Sequence, residues 1–278
     1  MKNWTGERLE TYIFTRDTIE HLHRYAIVTD YIVDKVVLDI ASGEGYGSKL
    51  MSEKASFVFG VDIDSNTIEN SRLKYQKENL EFRVGSTSEI PIDSNSIDVV
   101  VSFETLEHHD QHDKMMLEIK RVLKPHGLLI ISTPDKLFYS DMRNFRNEFH
   151  IKELYKNDFL KLMEENFKEV QLLKQKYCSG ISIIENEIQE SEIEIFTGNY
   201  TNIEKQSIDP LYLIAIASNI DFERKKDSIF DGGEIKEREI KERAANEEEI
   251  VRMVKNSNSY KLGHFLLLPF KILKRRFL

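Results

Sequence analysis

The segment Val36–Ser48, which reads VVLDIASGEGYGS, restricts the fold of this chain most strongly. An apolar run that ends in an acid is followed by Gly43, Gly45 and Gly47 at alternate positions. Glycines placed directly after a strand allow the backbone to approach a ligand closely. The segment therefore predicts a strand, a loop and a helix that hold a ligand at the carboxyl end of a strand.

Strand-like and helix-like segments alternate from Val36 to about residue 220. Each strand candidate is short, rich in Val, Ile or Phe and bounded by turn residues. These candidates span residues 35–40, 56–63, 80–84, 96–103 and 127–133. Such alternation predicts a doubly wound α/β fold with a mostly parallel sheet. Apolar runs at about 168–177 and 210–218 would add an antiparallel pair, so we predict seven strands.

Composition divides the 278 residues into one large domain and smaller flanking parts. We predict an N-terminal helical lid over residues 1–34 and the α/β domain over 35–231. Residues 232–256, dense in Glu, Lys and Arg, predict an exposed charged helix, for which pairing with a second helix stays an alternative. Residues 257–278 form a basic and apolar tail.

Charge and cysteine content exclude several classes of protein. The net charge of −9 argues against a general DNA or RNA binder, which needs an excess of Lys and Arg. The single cysteine, Cys178, excludes an intramolecular disulfide or a cysteine zinc cluster. The first residues, MKNWTGERLE, lack the apolar core of a signal peptide, and no run approaches a membrane span of about 18 apolar residues. We therefore expect a cytoplasmic body.

The residues around the glycines distinguish two kinds of ligand. A dinucleotide fingerprint requires a third glycine where this chain has Ser48, and the P-loop lysine–hydroxyl pair is missing. Asp39, at the end of the first strand, can instead face an α-amino group. Asp62, at the end of the second strand, can accept hydrogen bonds from ribose hydroxyls. The pattern predicts a ligand that contains an amino acid, a ribose and a base.

Four ordered segments between Lys35 and Pro134 resemble class I S-adenosylmethionine-dependent methyltransferases. They read LDIASGEGYGS, VFGVDIDSNTIENSR, FRVGSTSEIPIDSNSIDVVVSFETLEHH and EIKRVLKPHGLLIISTP. The resemblance implies a Rossmann-like fold and S-adenosylmethionine as cofactor. It implies cofactor contacts for Asp39, Ala41, Gly43, Gly45, Asp62, Ile63 and Phe103. The family often has an acid after the third-strand glycine, but Ser86 follows Gly85 here, so either Ser86 or a backbone carbonyl meets the adenine amino group.

The stretch ETLEHHD (104–110) follows the fourth strand and allows three interpretations. Its acids and histidines could be local polar structure, or His108 or His150 could act as a general base, with Glu104 beside the methionine end of the cofactor. The third interpretation is a divalent metal site, because E-x-x-E-H resembles the site of ubiquinone-type and small-RNA ribose methyltransferases. Its ligands would be Glu104, Glu107, His108 and His150, with Mg²⁺ as a candidate.

The N-terminal segment resembles the leader of methyltransferases in bacterial surface-polysaccharide and O-antigen pathways. The motifs are GERLE (6–10) and EHLHRYAI (20–27), with NEFHIKEL and PLYLIAIAS as later landmarks. The resemblance implies a lid over the cofactor cleft, with Tyr25 at the cofactor and Arg24 able to pair with an acidic acceptor. The alternative is an amphipathic helix with surface histidines.

We therefore predict O-methylation of a sugar or sugar phosphate of a cell-surface polysaccharide, with a glycan or lipid-linked sugar as acceptor. The alternatives are a small phenolic or quinone-like acceptor, an RNA ribose, or a non-catalytic cofactor-binding scaffold. The tail over 257–278 predicts either peripheral contact with the inner face of the cell membrane or contact with a protein, including a second copy of the chain.

Overall fold

The computed structural model describes residues 9–187 and 193–275 and contains one large mixed β-sheet. The strands are β1 (Val36–Ile40), β2 (Phe57–Asp62), β3 (Leu80–Val84), β4 (Ile97–Phe103), β5 (Leu123–Pro134), β6 (Glu169–Cys178), β7 (Ile181–Asn186), β8 (Phe196–Gly198), β9 (Ile203–Lys205), β10 (Tyr212–Ser218) and β11 (Ser228–Asp231). Nine of them form the main sheet in the order β11-β7-β6-β10-β5-β4-β1-β2-β3, and β8 and β9 form a separate two-stranded ribbon.

The α/β fold predicted from the sequence is confirmed, but the predicted number of seven strands is wrong because the main sheet has nine. Strands β1 to β5 run parallel, and β10 lies antiparallel between β5 and β6, as expected for the two later apolar runs. The additional strands are β7 and β11 at one edge. Ser179 and Gly180 both have positive φ (46° and 98°), so the chain reverses tightly after β6 and pairs β7 with it.

Seven α-helices are present in the described residues. They are α1 (Arg16–Val28), α2 (Tyr46–Met51), α3 (Ser65–Lys74), α4 (His112–Val122), α5 (Lys156–Glu164), α6 (Gly233–Asn256) and α7 (Asn258–Arg275). Local chemistry explains their bounds. For example, the Asp64 carboxylate caps α3 by accepting hydrogen bonds from the backbone N–H groups of Asn66 (2.9 Å) and Thr67 (3.2 Å).

The core has two layers, one on each face of the sheet. Apolar side chains of α1, α2 and α3, including Val28, Met51 and Ile68, pack on one face. Those of α4 and α5, including Met115 and Phe159, pack on the other. With both faces covered, the carboxyl ends of the parallel strands form the open edge where such folds bind ligands.

The chain divides into two compact units, Met1–Gly232 and Gly233–Leu278. The second unit consists of α6 and α7. Among the described residues, none of the helices has the length and apolar character that crossing a bilayer requires.

Candidate active site

The glycines of the loop between β1 and α2 differ in their backbone conformation and in the space around them. Gly43 and Gly45 have φ values of +54° and +90°, which glycine adopts more readily than other residues. A Cβ at Gly45 would lie 2.8 Å from the Phe82 ring, whereas a Cβ at Gly43 would have no atom within 4 Å. Ala41 also has a positive φ of 63°. The loop therefore packs tightly on β3 at Gly45 and borders open space at Gly43.

The helix α1 reaches over this loop through Tyr25. A Cβ at Gly47 would lie 1.9 Å from Tyr25 Oη, so only glycine leaves room for this side chain. The Tyr25 ring lies edge-on to Phe103 (5.2 Å between ring centroids) and to Tyr46 (5.7 Å). The N-terminal helix is thus in direct contact with the glycine loop and with the end of β4.

Asp39, at the end of β1, is buried, with 2% of its surface exposed. Burial raises the pKa of its carboxyl group to about 7, and the nearby Asp62 raises the pKa further while a hydrogen bond from Ser48 opposes the shift. Ser48 Oγ donates this bond to Asp39 Oδ2 over 2.6 Å. A cationic group placed beside Asp39 would stabilise the ionised carboxylate.

Asp62 connects the end of β2 to the glycine loop. Its carboxylate accepts hydrogen bonds from the backbone N–H groups of Gly43 (2.9 Å) and Asp64 (3.0 Å). The next residue, Ile63, is 72% exposed. Ser86 lies after β3, where its hydroxyl accepts a hydrogen bond from the backbone N–H of Ser88. These residues give the carboxyl edge both polar acceptors and an apolar surface.

Glu104 follows β4 in a left-handed conformation, with a φ of 53°. Its carboxylate accepts a 2.6 Å hydrogen bond from Ser132 Oγ on β5 and lies 3.7 Å from Nη1 of Arg24. Arg24 is 1% exposed, donates to Gln175 Oε1 (2.8 Å) and lies over the Tyr212 ring. The Arg24 guanidinium is therefore held within the protein, and its predicted pairing with an acidic acceptor stays a prediction.

Glu107, His108 and His150 come together beside Glu104. A carboxylate oxygen of Glu107 and one ring nitrogen of each histidine lie within 4.8 Å of one another. Glu107 is buried and accepts a 3.2 Å hydrogen bond from Thr133 Oγ1. Burial raises the pKa of Glu107 well above its ordinary value, and the nearby Glu104 carboxylate adds to this shift. The site therefore favours a proton or another cation at Glu107.

Hydrogen bonds determine which ring nitrogen of His108 and of His150 carries the hydrogen. Nδ1 of His108 lies 3.1 Å from the backbone carbonyl oxygen of Phe149, and Nδ1 of His150 lies 2.6 Å from a carboxylate oxygen of Glu153. Because these oxygens can only accept, both Nδ1 atoms must carry the hydrogen. In this tautomer each Nε2 keeps the lone pair, with which it can take a proton or bind a metal ion. Nε2 of His150 accepts a 3.0 Å hydrogen bond from the Asn147 side-chain amide, and Nε2 of His108 lies 4.0 Å from a carboxylate oxygen of Glu107.

Comparisons with known proteins agree with this geometry. The family described as "Methyltransferase domain" matches residues 38–131. A probable S-adenosylmethionine-dependent methyltransferase of Mycolicibacterium smegmatis is 32% identical over 202 residues, which cover 66% of this chain and 76% of the relative. The chain belongs to the class I S-adenosylmethionine-dependent methyltransferases. This assignment replaces the alternative of a non-catalytic scaffold.

Other similar proteins share smaller parts of this methyltransferase. A probable methyltransferase of Mycobacterium tuberculosis is 32% identical, and the match covers 57% of this chain and 58% of the relative. A mitochondrial ubiquinone biosynthesis O-methyltransferase of Candida albicans is 30% identical over 45% of this chain and 39% of its own length. The crystal structure of a methyltransferase from Thermotoga maritima, described as possibly acting on histamine, has a TM-score of 0.54 and 16% identity, covering 74% of this chain and 92% of that one. The last similarity shows the fold alone.

The residues of this methyltransferase fit its cofactor, S-adenosylmethionine. Open space beside Gly43 borders Asp62, whose oxygens can accept further hydrogen bonds from a ribose. Buried Asp39 suits the α-ammonium group, which would offset the cost of burying its charge. The exposed Ile63 offers an apolar surface for the adenine. When bound, the cofactor supplies an electrophilic methyl group on a sulfonium sulfur.

Several residues of the site were not identified from the sequence. The hydroxyls of Ser132 and Thr133 could have been found, because they directly follow the apolar run 128–131 at the end of β5. Gln175 and Tyr212 lie on β6 and β10, and their contacts with Arg24 join residues more than 150 positions apart. No local pattern signals such contacts.

Proposed function

We propose that this methyltransferase methylates a hydroxyl oxygen of a sugar or sugar phosphate during assembly of a cell-surface polysaccharide. The observation that carries the proposal is the pair of imidazoles of His108 and His150, whose ring centroids lie 5.2 Å apart beside Glu107. A sugar hydroxyl must lose a proton as it is methylated, and a neutral imidazole accepts a proton near neutral pH. The resemblance of the N-terminal segment to polysaccharide methyltransferases supports the choice of acceptor.

The chemistry is an in-line displacement. The acceptor oxygen forms a bond to the methyl carbon while the carbon–sulfur bond breaks and its electron pair stays on sulfur. Nε2 of His108 or His150 takes the hydroxyl proton. Glu153 accepts a hydrogen bond from Nδ1 of His150 and so stabilises the imidazolium that forms. Tyr25 and Phe103 contact each other at the end of β4, and at the methionine end of the cofactor their rings would help to align donor and acceptor.

A metal-assisted version of the same reaction is supported by the proximity of Glu107, His108 and His150. One carboxylate and two imidazoles suit a borderline or hard divalent ion. The raised pKa of Glu107, caused first by burial and then by Glu104, supports a cation beside this carboxylate. The Glu104 carboxylate is engaged by Ser132 and faces Arg24 instead, so its predicted role as a ligand stays a prediction. Bound there, a divalent ion would lower the pKa of the acceptor hydroxyl.

The test combines histidine variants with an acceptor panel. We expect His108→Ala or His150→Ala to lower kcat by about 10²–10⁴-fold with an unchanged cofactor Kd, while exposed His126→Ala serves as the matched control. Sugar nucleotides, a catechol and an RNA oligonucleotide distinguish the acceptor classes. The Candida albicans relative acts in ubiquinone biosynthesis, so methylation of the catechol alone would replace the sugar proposal.

Chelation separates the two versions of the mechanism. Full activity in excess chelator refutes the metal and leaves a histidine as base. A loss that Mg²⁺ restores assigns Glu107, His108 and His150 as ligands. Full activity of both histidine variants would refute both versions.

We also propose that residues 257–278 bind the anionic inner face of the cell membrane. The segment contains Lys and Arg but no acid, and Leu262, Phe265 and Leu266 of α7 are 62%, 73% and 61% exposed. Apolar and basic residues together bind anionic lipid surfaces. Deleting residues 257–278 should abolish sedimentation with phosphatidylglycerol vesicles and leave cofactor binding intact. Unchanged sedimentation, or loss of self-association without loss of vesicle binding, would refute the proposal.

A further inference from the structure

A long loop between β5 and α5 borders the histidines, and we name residues 136–154 the entrance loop. Its ends are joined, because the backbone N–H of Lys136 donates to the carbonyl oxygen of Leu154 over 3.1 Å. The N–H groups of Ile151 and Lys152 donate to the carbonyl oxygen of Glu107 (2.7 and 3.0 Å). It includes one short helical segment, Leu137–Asp141. The entrance loop is thus hydrogen-bonded to the backbone of Glu107. We refer to Glu107, His108 and His150 together as the catalytic cluster.

The inner side of the entrance loop contacts the catalytic cluster directly. Tyr139 stacks on the His150 ring with 5.3 Å between centroids, and it also contacts Phe145 (5.8 Å). The Phe149 carbonyl oxygen accepts the hydrogen bond from His108. A ligand that presents a hydroxyl to the histidines would therefore extend along this loop.

The entrance loop exposes several large apolar side chains. The exposed fractions are 42% for Leu137, 63% for Met142, 43% for Phe145, 42% for Phe149 and 69% for Ile151. Scattered apolar residues on a surface are normal, but a concentration beside a site indicates a binding surface. An apolar part of the acceptor would bury this surface.

Basic residues are interleaved with the apolar ones. Arg143, Arg146 and Lys152 are exposed, and in residues 9–187 and 193–275 none of the three forms an ion pair with a carboxylate. Two of the acids in the same region are engaged, since Asp141 accepts a hydrogen bond from Tyr155 and Glu153 accepts one from His150. The formal charge of residues 136–154 is +1, from Lys136, Arg143, Arg146 and Lys152 against Asp141, Glu148 and Glu153, whereas the whole chain carries −9. The three basic side chains without a carboxylate partner can therefore pair with an anion.

We propose that the entrance loop binds an acceptor whose sugar is joined through a phosphate to an apolar chain. The apolar chain contacts Met142, Phe145 and Phe149, and the phosphate pairs with Arg143 and Arg146. The sugar hydroxyl then lies at His108 and His150. This inference rests on the proposed sugar O-methylation and specifies its substrate class as a lipid-linked phosphosugar, in preference to a water-soluble nucleotide sugar.

Binding of simple probes to the full chain with S-adenosylhomocysteine tests the loop chemistry. We expect farnesyl phosphate, kept below its critical micelle concentration, to bind at least about tenfold tighter than inorganic phosphate or farnesol. Phe145→Ser with Phe149→Ser should weaken its binding about tenfold, as should Arg143→Gln with Arg146→Gln. The matched controls are Leu117→Ser and Lys120→Gln on α4, where both side chains are exposed.

Three binding outcomes would overturn the inference. Equal affinity of the loop variants and the wild type removes the loop as the binding surface. A farnesylated catechol that binds as tightly as farnesyl phosphate removes the role of the phosphate. The third outcome is that the protein binds empty anionic vesicles through Phe145 and Phe149 but does not bind dispersed farnesyl phosphate. The loop would then bind a lipid surface and not the acceptor.

Turnover separates failure of this inference from failure of the proposed function. We expect kcat/KM for a farnesyl diphosphate-linked sugar to exceed that for the matching uridine diphosphate sugar by at least about tenfold, and the loop variants to lose this preference. Equal turnover of both sugars by all variants overturns the lipid-linked substrate and leaves sugar O-methylation standing. No transfer to either sugar, with loop-dependent binding of farnesyl phosphate, overturns the proposed function instead.

Discussion

Replacing Gly47 with alanine tests how α1 is held on the cofactor loop. The new Cβ would lie 1.9 Å from Tyr25 Oη and 2.1 Å from Tyr25 Cζ. Tyr25 is only 8% exposed and packs on Tyr46 and Phe103, so its ring cannot move aside without losing these contacts. Overpacking of this kind costs about 1–3 kcal/mol. In a unit of this size we expect the Tm to fall by about 2–12 °C.

Gly43→Ala in the same loop is the matched comparison. Its Cβ would meet no protein atom within 4 Å, so the cost to stability comes only from the positive φ of 54°, about 1–2 kcal/mol. The added methyl group instead enters the space next to Asp62. We therefore expect Gly43→Ala to weaken cofactor binding at least about tenfold, as measured by isothermal titration.

A double-mutant cycle measures how strongly the effect of Gly47→Ala on stability depends on Tyr25. Tyr25→Leu removes Oη, Cζ and Cε1, the three atoms nearest to the added Cβ. In that background Gly47→Ala should be neutral or stabilise by up to about 1 kcal/mol, because alanine favours the helix α2. Chemical denaturation of the four proteins gives the coupling. An equal loss in both backgrounds would show that Tyr25 does not require the glycine.

Three further predictions concern buried ionisable groups. The pKa of Asp39, about 7, predicts that unfolding free energy falls from pH 4 to pH 7 by up to about 4 kcal/mol and that cofactor affinity rises with pH near 7. Denaturation and titration of wild type and Asp39→Asn check this, and a variant that keeps the same pH slope would contradict it. His23 is buried between Ser182 and Ser228 with its pKa lowered to about 4, mainly by burial and then by Arg24, so stability should be lost as pH falls from 6.5 to 4. His23→Gln should reduce this acid lability, and equal acid denaturation curves would exclude the assignment. The raised pKa of Glu107 predicts that Glu107→Gln stabilises the metal-free protein above neutral pH and lowers kcat; a fall in Tm at pH 8 would contradict it.

The parts of the site built from neighbouring residues were predictable from the sequence. Gly43, Gly45, Asp39 and Asp62 lie at strand ends or in the turn that follows, and their spacing reflects how a parallel strand enters a helix. The E-x-x-E-H string likewise brings Glu107 and His108 together because they are adjacent. The sequence analysis also predicted that His150 lies beside Glu107 and His108, but this prediction came only from the resemblance to metal-dependent methyltransferases. Local spacing alone does not bring together residues 42 positions apart.

The local order of strands, glycines and acids specified an α/β fold that binds a cofactor at the carboxyl ends of its strands. The reason is that each strand and the polar residues that follow it are neighbours in the sequence. Tertiary contact alone determined the two additional strands, the burial of Arg24 by Gln175 and Tyr212, and the approach of His150 to Glu107 and His108. Burial also raised the pKa values of Asp39 and Glu107, which depends on the groups that surround a carboxyl and not on its neighbours in the chain. The hydrogen bond between the backbone groups of Lys136 and Leu154 also joins the two ends of the entrance loop, which lie 18 positions apart in the sequence.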